Sequence, residues 1–439
     1  MLKTLVGAFK NKDIRKKILY TLMILVIVRV GSLLPIPGVD TEYFSSLLSG
    51  INTGDLSYLS AFTGGSFERM SLFALSITPY ITSSIIMQLL AIAIPKLEEM
   101  QKEGEDGRKK IAAITRYVTI GLALIESIAM AVGFGRSGLI KGYQGFSTLH
   151  YIVSIMVVVA ALTAGSAMLM WLGERITENG VGNGISIVLL INIISGMPSD
   201  FATLYSTFVA PRTIAKGVLA AAIIIAILVV MVVLVCFLQD GERRIPVQYS
   251  QKVSGRKTFG GQSTNIPLKV NTAGVMPVIF ASSLMQFPVI IAQLFGKSYE
   301  WTRYLSSSYW CRVSAPKYSI GLILYVVLLI IFAYFYTSIT FNPIEVADNL
   351  KKAGGVIPGI TPGKSTSDYL NNILNYIVFV GAVGLLIIAL IPIMCTGFFN
   401  ASVSFGGTSV IIIVGVVLET LKHIESQMVN RYYKGFLSE

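Results

Sequence analysis

Charged side chains are scarce in this 439-residue chain: only 13% of residues are Asp, Glu, Lys or Arg, against 54% hydrophobic residues and a mean hydropathy of +0.70. A soluble globular domain carries about 25% charged residues, so a water-soluble body of this size is excluded, and the excess apolar surface must face lipid. Histidine is nearly absent, with His150 and His423 alone, and the three cysteines, Cys236, Cys311 and Cys395, lack CxxC spacing. A metal centre is not expected from that inventory, and free apolar thiols are expected rather than a disulfide. Catalytic motifs are missing too. There is no HExxH and no GxSxG, and the near P-loop Gly359-Ile-Thr-Pro-Gly363-Lys364-Ser365 has Pro358 where GxxxxGK[ST] needs glycine. The glycine-rich stretch Gly180-Val-Gly182-Asn-Gly184 lacks the strand that a dinucleotide site requires and reads as a tight loop. No enzymatic activity and no cofactor are expected, and any energy for transport must come from outside the chain.

Long apolar runs are abundant instead. Segments of about 18 or more weakly charged residues fall near 18–37, 71–94, 114–134, 151–172, 184–203, 217–239, 275–296, 318–340, 373–394 and 405–422, predicting an all-α polytopic membrane protein of ten helices. The first run follows Lys3, Lys10, Lys12, Arg15, Lys16 and Lys17 as a signal peptide would, yet it is too long for an h-region and ends in Pro35-Ile36-Pro37-Gly38. It is expected to be a retained first helix. Net charge is +12, and with the N-terminus inside, 25 Lys and Arg residues fall in cytoplasmic segments and 9 in the opposite ones. This bias predicts both termini in the cytoplasm. Ten spans divided after the fifth permit two inverted halves, 1–203 and 204–439.

Charge inside the spans is thin: Arg29, Glu126 and, near a cytoplasmic end, Glu419. A mutual pair or snorkelling accounts for these as readily as an ion relay does. Leu56 to Gly65 is moderately apolar but far too short to cross, and is either a re-entrant segment with a Gly64-Gly65 hinge or a surface loop. Ile77 and Ile81, and likewise Ile185 and Leu189, share helix faces at i, i+4. Such pairs ordinarily pack or face lipid; converging, they would form a hydrophobic constriction. Two cytoplasmic arms, near 240–271 and 342–371, carry Arg243, Arg244, Lys252, Arg256, Lys257, Lys269, Lys351, Lys352 and Lys364. They enforce topology and touch anionic lipid, or they dock a partner with an acidic or phosphate surface.

Several longer motifs, in order, carry a resemblance: Pro35-Ile-Pro-Gly-Val-Asp40, Phe73-Ala-Leu-Ser-Ile-Thr-Pro-Tyr80, Gly173-Glu-Arg-Ile-Thr-Glu-Asn-Gly180, Arg243-Arg-Ile-Pro-Val-Gln-Tyr249, Gly261-Gln-Ser-Thr-Asn-Ile-Pro-Leu-Lys-Val-Asn271, Ala347-Asp-Asn-Leu-Lys-Lys352 and Phe405-Gly-Gly-Thr-Ser409. Over essentially its whole length the sequence resembles the bacterial SecY family, the channel subunit of the general protein translocase. The resemblance implies an inverted five-plus-five architecture around an hourglass pore in the cytoplasmic membrane. Unfolded chains would pass outward, and apolar helices would leave sideways between the second and seventh spans. By motif position it implies a pore ring of Ile77, Ile81, Ile185, Leu189, Ile279 and Ile412, with leucine at 189 departing from isoleucine. It further implies a plug near 57–67, with Ser57, Tyr58, Leu59, Ala61, Phe62, Gly64 and Gly65, and lateral-gate glutamines at Gln88 and Gln286. Arg243, Arg244, Arg256, Lys257, Lys351 and Lys352 become candidate contacts for the SecA motor ATPase or a ribosome. The expected partners also include the small membrane subunits SecE and SecG, signal peptides, unfolded preproteins and lipid. Thr361 stands where many bacterial members have arginine before the Pro-Gly of the second arm. A small-solute secondary transporter and a membrane scaffold or insertion factor are the rival readings.

Overall fold

The computed structural model describes residues 7, 9–50, 63–135, 148–211, 214–249, 252–254, 257–259, 263–294, 300–311, 316–399 and 407–435. Its helices are α1 (Lys12–Leu33), α2 (Thr41–Gly50), α3 (Thr78–Ala93), α4 (Pro95–Lys102), α5 (Glu105–Phe134), α6 (Thr148–Asn179), α7 (Gly184–Leu204), α8 (Ile214–Asp240), α9 (Met276–Leu294), α10 (Glu300–Leu305), α11 (Ile320–Thr340), α12 (Pro343–Lys352), α13 (Lys364–Phe399) and α14 (Gly407–Gly435). The strands are β1 (Glu242–Tyr249), β2 (Lys252–Ser254), β3 (Lys257–Phe259), β4 (Ser263–Lys269) and β5 (Gly355–Val356). Each of the ten expected spans overlaps a helix. Among the described residues six helices are long and apolar enough to cross a membrane by length and composition, and the bent pair α3–α4 makes up to seven.

The sorting of side chains on these helices is that of a protein in lipid. On α1, Ile14, Ile24 and Val28 recur at helical spacing and are buried, whereas Leu19, Leu22, Met23, Val26 and Val30 on the other faces are equally apolar and exposed. Only a surrounding hydrocarbon phase makes that pattern favourable. α8 is the extreme case, with Val218, Leu219, Ile223, Val229, Val233 and Phe237 all outward. Buried hydroxyls fasten helices where apolar contact alone offers no gain over lipid: Ser83 of α3 bonds Thr119 of α5, and Ser127 of α5 bonds Thr163 of α6 at 2.9 Å.

Two span boundaries differ from the hydropathy expectation. The run 18–37 leaves the helix at Leu33, because Pro35 removes a backbone donor and forces Leu34 into an extended conformation. The run 71–94 becomes helical only at Thr78, since Met70 and Ser76 adopt left-handed backbone angles (φ 43° and 54°). These two non-helical stretches satisfy one another: Ile36 N donates to Met70 O at 3.1 Å and Leu72 N to Leu34 O at 2.9 Å. Thr63, Ser66, Met70, Ser71 and Ser76 are all buried, as irregular backbone at membrane depth must be. At the other end of α3, Pro95 holds Ile94 extended, and α4 turns away at 107°.

α1, α3, α5, α6 and α7 pack mainly among themselves, as do α8, α9, α11, α13 and α14; α7 meets α14, and α5 meets α9, across the two groups. The arms are not separate. β1 pairs antiparallel with β4 from Glu242↔Lys269 to Gln248↔Ser263, and also with β5 through Gln248↔Val356 and Tyr249↔Gly355, giving the order β4-β1-β5. Ile245, Val247, Leu268, Leu350, Ile357, Leu370, Ile373 and Ile377 form one buried core beneath that sheet, which seats both arms on α13. α12 starts cleanly because Asn342 accepts from Ile344 N and Glu345 N, with Pro343 at its first position.

Candidate functional site

The six residues of the implied ring come from α3, α7, α9 and α14 and the turn before α3. In the fold, Ile77, Leu189, Ile279 and Ile412 are buried members of one hydrophobic cluster, and Ile81 and Ile185 pack against it half-buried. The i, i+4 spacing on α7 puts Ile185 and Leu189 on one face. That face meets Ile412 because α7 lies against α14. All of the six except Ile77 line a cavity of about 500 Å3, whose remaining wall includes Gln88, Gln239, Lys269, Asn271, Glu419 and Lys422. Gln88 lies on α3, Gln239 at the end of α8, Lys269 and Asn271 at and just after the end of β4, and Glu419 and Lys422 midway along α14, so the cavity is lined by charged and polar groups as well as by the aliphatic cluster.

Two amide groups on this wall are unusual. Among the described residues Gln88 Oε1 and Asn271 Nδ2 are buried without a hydrogen-bond partner, one acceptor and one donor, the complement of a peptide group. Gln88 does use its nitrogen, which donates to Ser84 Oγ at 3.4 Å. Gln286 lies on α9, whose backbone is described; its side chain lies outside the described atoms.

The loop 180–184 is the tight turn that its glycines suggest. Gly182 is left-handed (φ 73°), and a Cβ on Gly184 would meet Gly173 O at 1.9 Å. Asn183 then caps α7 by accepting from Ile185 N and Ser186 N. His423 Nδ1 of α14 accepts from Gly182 N at 3.1 Å, tying this loop to the far group of helices. Beside it Lys422 pairs with Asp240 at 2.7 Å.

Of the plug positions, Gly64 and Gly65 are described, with φ of 63° and 79°; Ser57, Tyr58, Leu59, Ala61 and Phe62 lie outside the described residues. Gly64 is pressed onto α7, where a Cβ would stand 2.5 Å from Ser195 Oγ and 2.7 Å from Asn192 O. Arg29 meets the same point. Its Nη1 donates to Ser195 Oγ at 2.9 Å and reaches Gly64 O at 3.5 Å, which replaces the expectation of a mutual pair with Glu126 or snorkelling. Sequence reasoning missed Ser195, Asn192 and this use of Arg29, and an unpaired arginine within an apolar run was the one available signal.

On the arms Arg243, Arg244, Lys351 and Lys352 are all exposed. Arg244 is partly engaged by Glu242 at 2.6 Å, and Lys351 and Lys352 occupy the last turn of α12, where the helix dipole favours cations. Arg256 lies outside the described residues, and Lys257 is described in its backbone, as part of β3. The cysteines Cys236, Cys311 and Cys395 are free. Burial pushes the Cys311 thiol up, away from reactive thiolate.

A SecY family model matches residues 71–421. The chain is 43% identical over its full length to the protein translocase subunit SecY of Streptomyces scabiei and 42% identical to that of Bacillus subtilis, covering each relative entirely. Among solved structures it shares the fold of one described as a protein conducting channel, at 18% identity with a TM-score of 0.61, covering 94% of this chain and 92% of that one. It similarly matches Sec61 in the canine ribosome-channel complex of the endoplasmic reticulum, at 17% identity with a TM-score of 0.59, over 94% of this chain and 92% of that one. With end-to-end identity to bacterial relatives and a channel fold around the apolar cluster just described, this chain belongs to the SecY family of protein translocase subunits.

Proposed function

We propose that the chain is the passive, gated, protein-conducting pore of a bacterial cytoplasmic membrane, with Ile77, Ile81, Ile185, Leu189, Ile279 and Ile412 as its sealing ring. One observation carries this reading: six apolar residues dispersed over more than 300 positions of sequence converge in one cluster, and five of them line a single cavity together with charged and polar residues. A ring of branched aliphatic side chains makes no directional bonds, so it closes on itself at rest and yields to a chain of any sequence. Segment 57–67 plugs the resting pore. The halves 1–203 and 204–439 part near Gln88 and Gln286 to release apolar segments sideways. A stretch of about 20 apolar residues gains from lipid, whereas each central charge costs about 2.5 to 3.5 kcal/mol, so partition sorts the cargo.

Energy comes from a partner, since the chain acts as a conduit rather than a catalyst. The joined arms present Arg243, Arg244, Arg256, Lys257, Lys351 and Lys352 to the SecA motor or a ribosome on the cytoplasmic side, where both termini also lie. SecE and SecG are the small membrane subunits that complete the assembly. Thr361 lowers the charge of the second arm, which bears on the strength or mode of motor coupling. The test is disulfide trapping between Ile412→Cys, in a background without the three native cysteines, and a single cysteine in a stalled secretory chain. Trapping at 412 and none at a lipid-facing control such as Val229→Cys is the expected result. No trapping, with the chain demonstrably engaged, would move the path elsewhere and return weight to a scaffold or solute transporter.

A further inference from the structure

Between α9 and α11 lies a cluster of aromatic rings and cations that plays no part in the cavity or the arms. Its frame is stiff. Trp310 is buried, donates from Nε1 to Tyr304 O at 2.8 Å, and packs on Tyr325 of α11 with ring centroids 5.6 Å apart. Cys311 N donates to Ser319 Oγ at 3.2 Å, and a Cβ on Gly321 would collide with Tyr304 O, so glycine lets the head of α11 lie flush against α10. Tyr318 is 5% exposed and is held edge-on by Tyr304 and Tyr309, with centroids 5.0 and 6.0 Å away. On this frame Arg303 of α10 and Lys317, from a different segment of chain, both interact with the one Tyr318 hydroxyl. Each cation also lies against a ring, Arg303 over Tyr309 at 5.8 Å and Lys317 over Tyr318 at 5.0 Å. Both are exposed. Neither has an ion-pair partner among the described residues, and Glu300, at the start of α10, acts on both only through space. Two like charges gathered at one phenol repel each other, and an anion arriving between them relieves that repulsion.

Membrane depth follows from connectivity. α9 leaves the arm body after β4, and α11 leads back to it through α12. α11 has 21 residues, which at 1.5 Å per residue spans about 31 Å, the thickness of the hydrocarbon core. The cluster therefore stands at the membrane interface opposite the arms. Directly below it α11 turns Ile320, Ile323, Leu324 and Val327 outward, each at least 44% exposed, at the i, i+3, i+4, i+7 spacing of a single helix face. A pair of cations on an aromatic frame, set above an apolar stripe, outlines one molecule that is anionic at one end and hydrocarbon at the other. The geometry points to a binding site for an anionic phospholipid, with its headgroup phosphate held by Arg303 and Lys317 over Tyr318 and an acyl chain laid along the α11 stripe. Its leaflet is the outer one, a point that rests on the reading that places the arms in the cytoplasm. Aromatic rings alone are ordinary at an interface; the two cations on one phenol select a net negative head, because a zwitterionic head brings an ammonium that they repel. A lipid seated there ties the ends of α10 and α11 to the bilayer.

The test uses the full-length chain in its membrane complex, reconstituted in phosphatidylcholine vesicles that carry phosphatidylglycerol with a photoreactive acyl chain in both leaflets. After illumination the adducts are mapped by mass spectrometry. They are expected on the stripe from Ile320 to Val327. Arg303→Gln with Lys317→Gln should lower their yield on the order of tenfold, whereas Arg303→Lys with Lys317→Arg should hold it within about twofold. Unlabelled phosphatidylglycerol should compete, and added phosphatidylcholine or inorganic phosphate should not. A yield unchanged by the two glutamines overturns the site. Equal competition by phosphatidylcholine overturns the choice of an anionic head, and displacement by inorganic phosphate means a free-anion site instead of a lipid one. A stripe without adducts, while Val229 on the lipid-facing side of α8 is labelled, means that a protein partner covers this face and likewise overturns the proposal. Because the probe is in both leaflets, labelling does not depend on which way the arms point; protease access to the hairpin 242–269 from outside the vesicles decides that reading separately.

Discussion

The apolar cluster and the arm body are built from the same branched aliphatic residues and are held in opposite ways. In the cluster, side chains from four elements meet with no strand pairing between them, so their attraction is non-directional and can be undone and remade. In the arm body, a similar number of buried aliphatics sits under a ladder of backbone hydrogen bonds running from Glu242↔Lys269 to Gln248↔Ser263 and continued into β5. A ladder fixes register, since a one-residue slip would turn Ile245 and Val247 outward. The difference teaches that apolar burial leaves packing adjustable where directional bonds are withheld and fixes a rigid body where they are supplied.

That contrast can be broken at several points. The largest effect is expected from Leu370→Ala, fully buried in the arm core. The cavity should cost about 2–5 kcal/mol and be read as lower thermal stability with early proteolysis of the hairpin 242–269; an arm that stays protease-resistant would show that the core does not hold it. Next comes charge reversal on the platform, Arg243→Glu with Lys351→Glu and Lys352→Glu. Association with the motor or ribosome at low salt should slow on the order of a hundredfold, and the defect should shrink as salt shortens the range of charge interactions to about 3 Å at 1 M. Unchanged kinetics would remove the docking role. Ile412→Ser should raise resting ion leak on the order of tenfold by wetting the constriction, with the arm body unaffected. The smallest effect is expected from Lys422→Ala. The Lys422–Asp240 pair is 48% exposed on each side chain, so its loss should change stability by no more than about 1 kcal/mol, and a larger drop would mean that the cavity mouth is part of the rigid platform.

Much of the site was legible as residue types and little of it as contacts. Proline at 35 and at 95 explains why two helices stop where they do, a local steric effect visible in the chain. The helix expected from 71 fails to form before 78 because Ser71 to Ile77 is fastened to residues 34–36 and α6 instead, including Ser166 Oγ to Ser76 O at 3.4 Å. Hydropathy has no access to that competition. Gly180, Gly182 and Gly184 announced a tight loop, yet the carbonyl of Gly173 that makes glycine necessary at 184 lies eleven residues away.

By itself the amino-acid sequence determined the solvent, the apolar helices and the family motifs. Each of those depends on local composition, on transfer of short segments between water and hydrocarbon, or on residues read in order. Only the tertiary structure decided that Ile77, Leu189, Ile279 and Ile412 share one cluster, that two arms separated by α9, α10 and α11 share one sheet, and that Arg29 finds Ser195 and Gly64. Those contacts join elements far apart in the chain. Their partners are chosen by which helix faces and strand edges the whole packing leaves available, and no window of sequence contains that information.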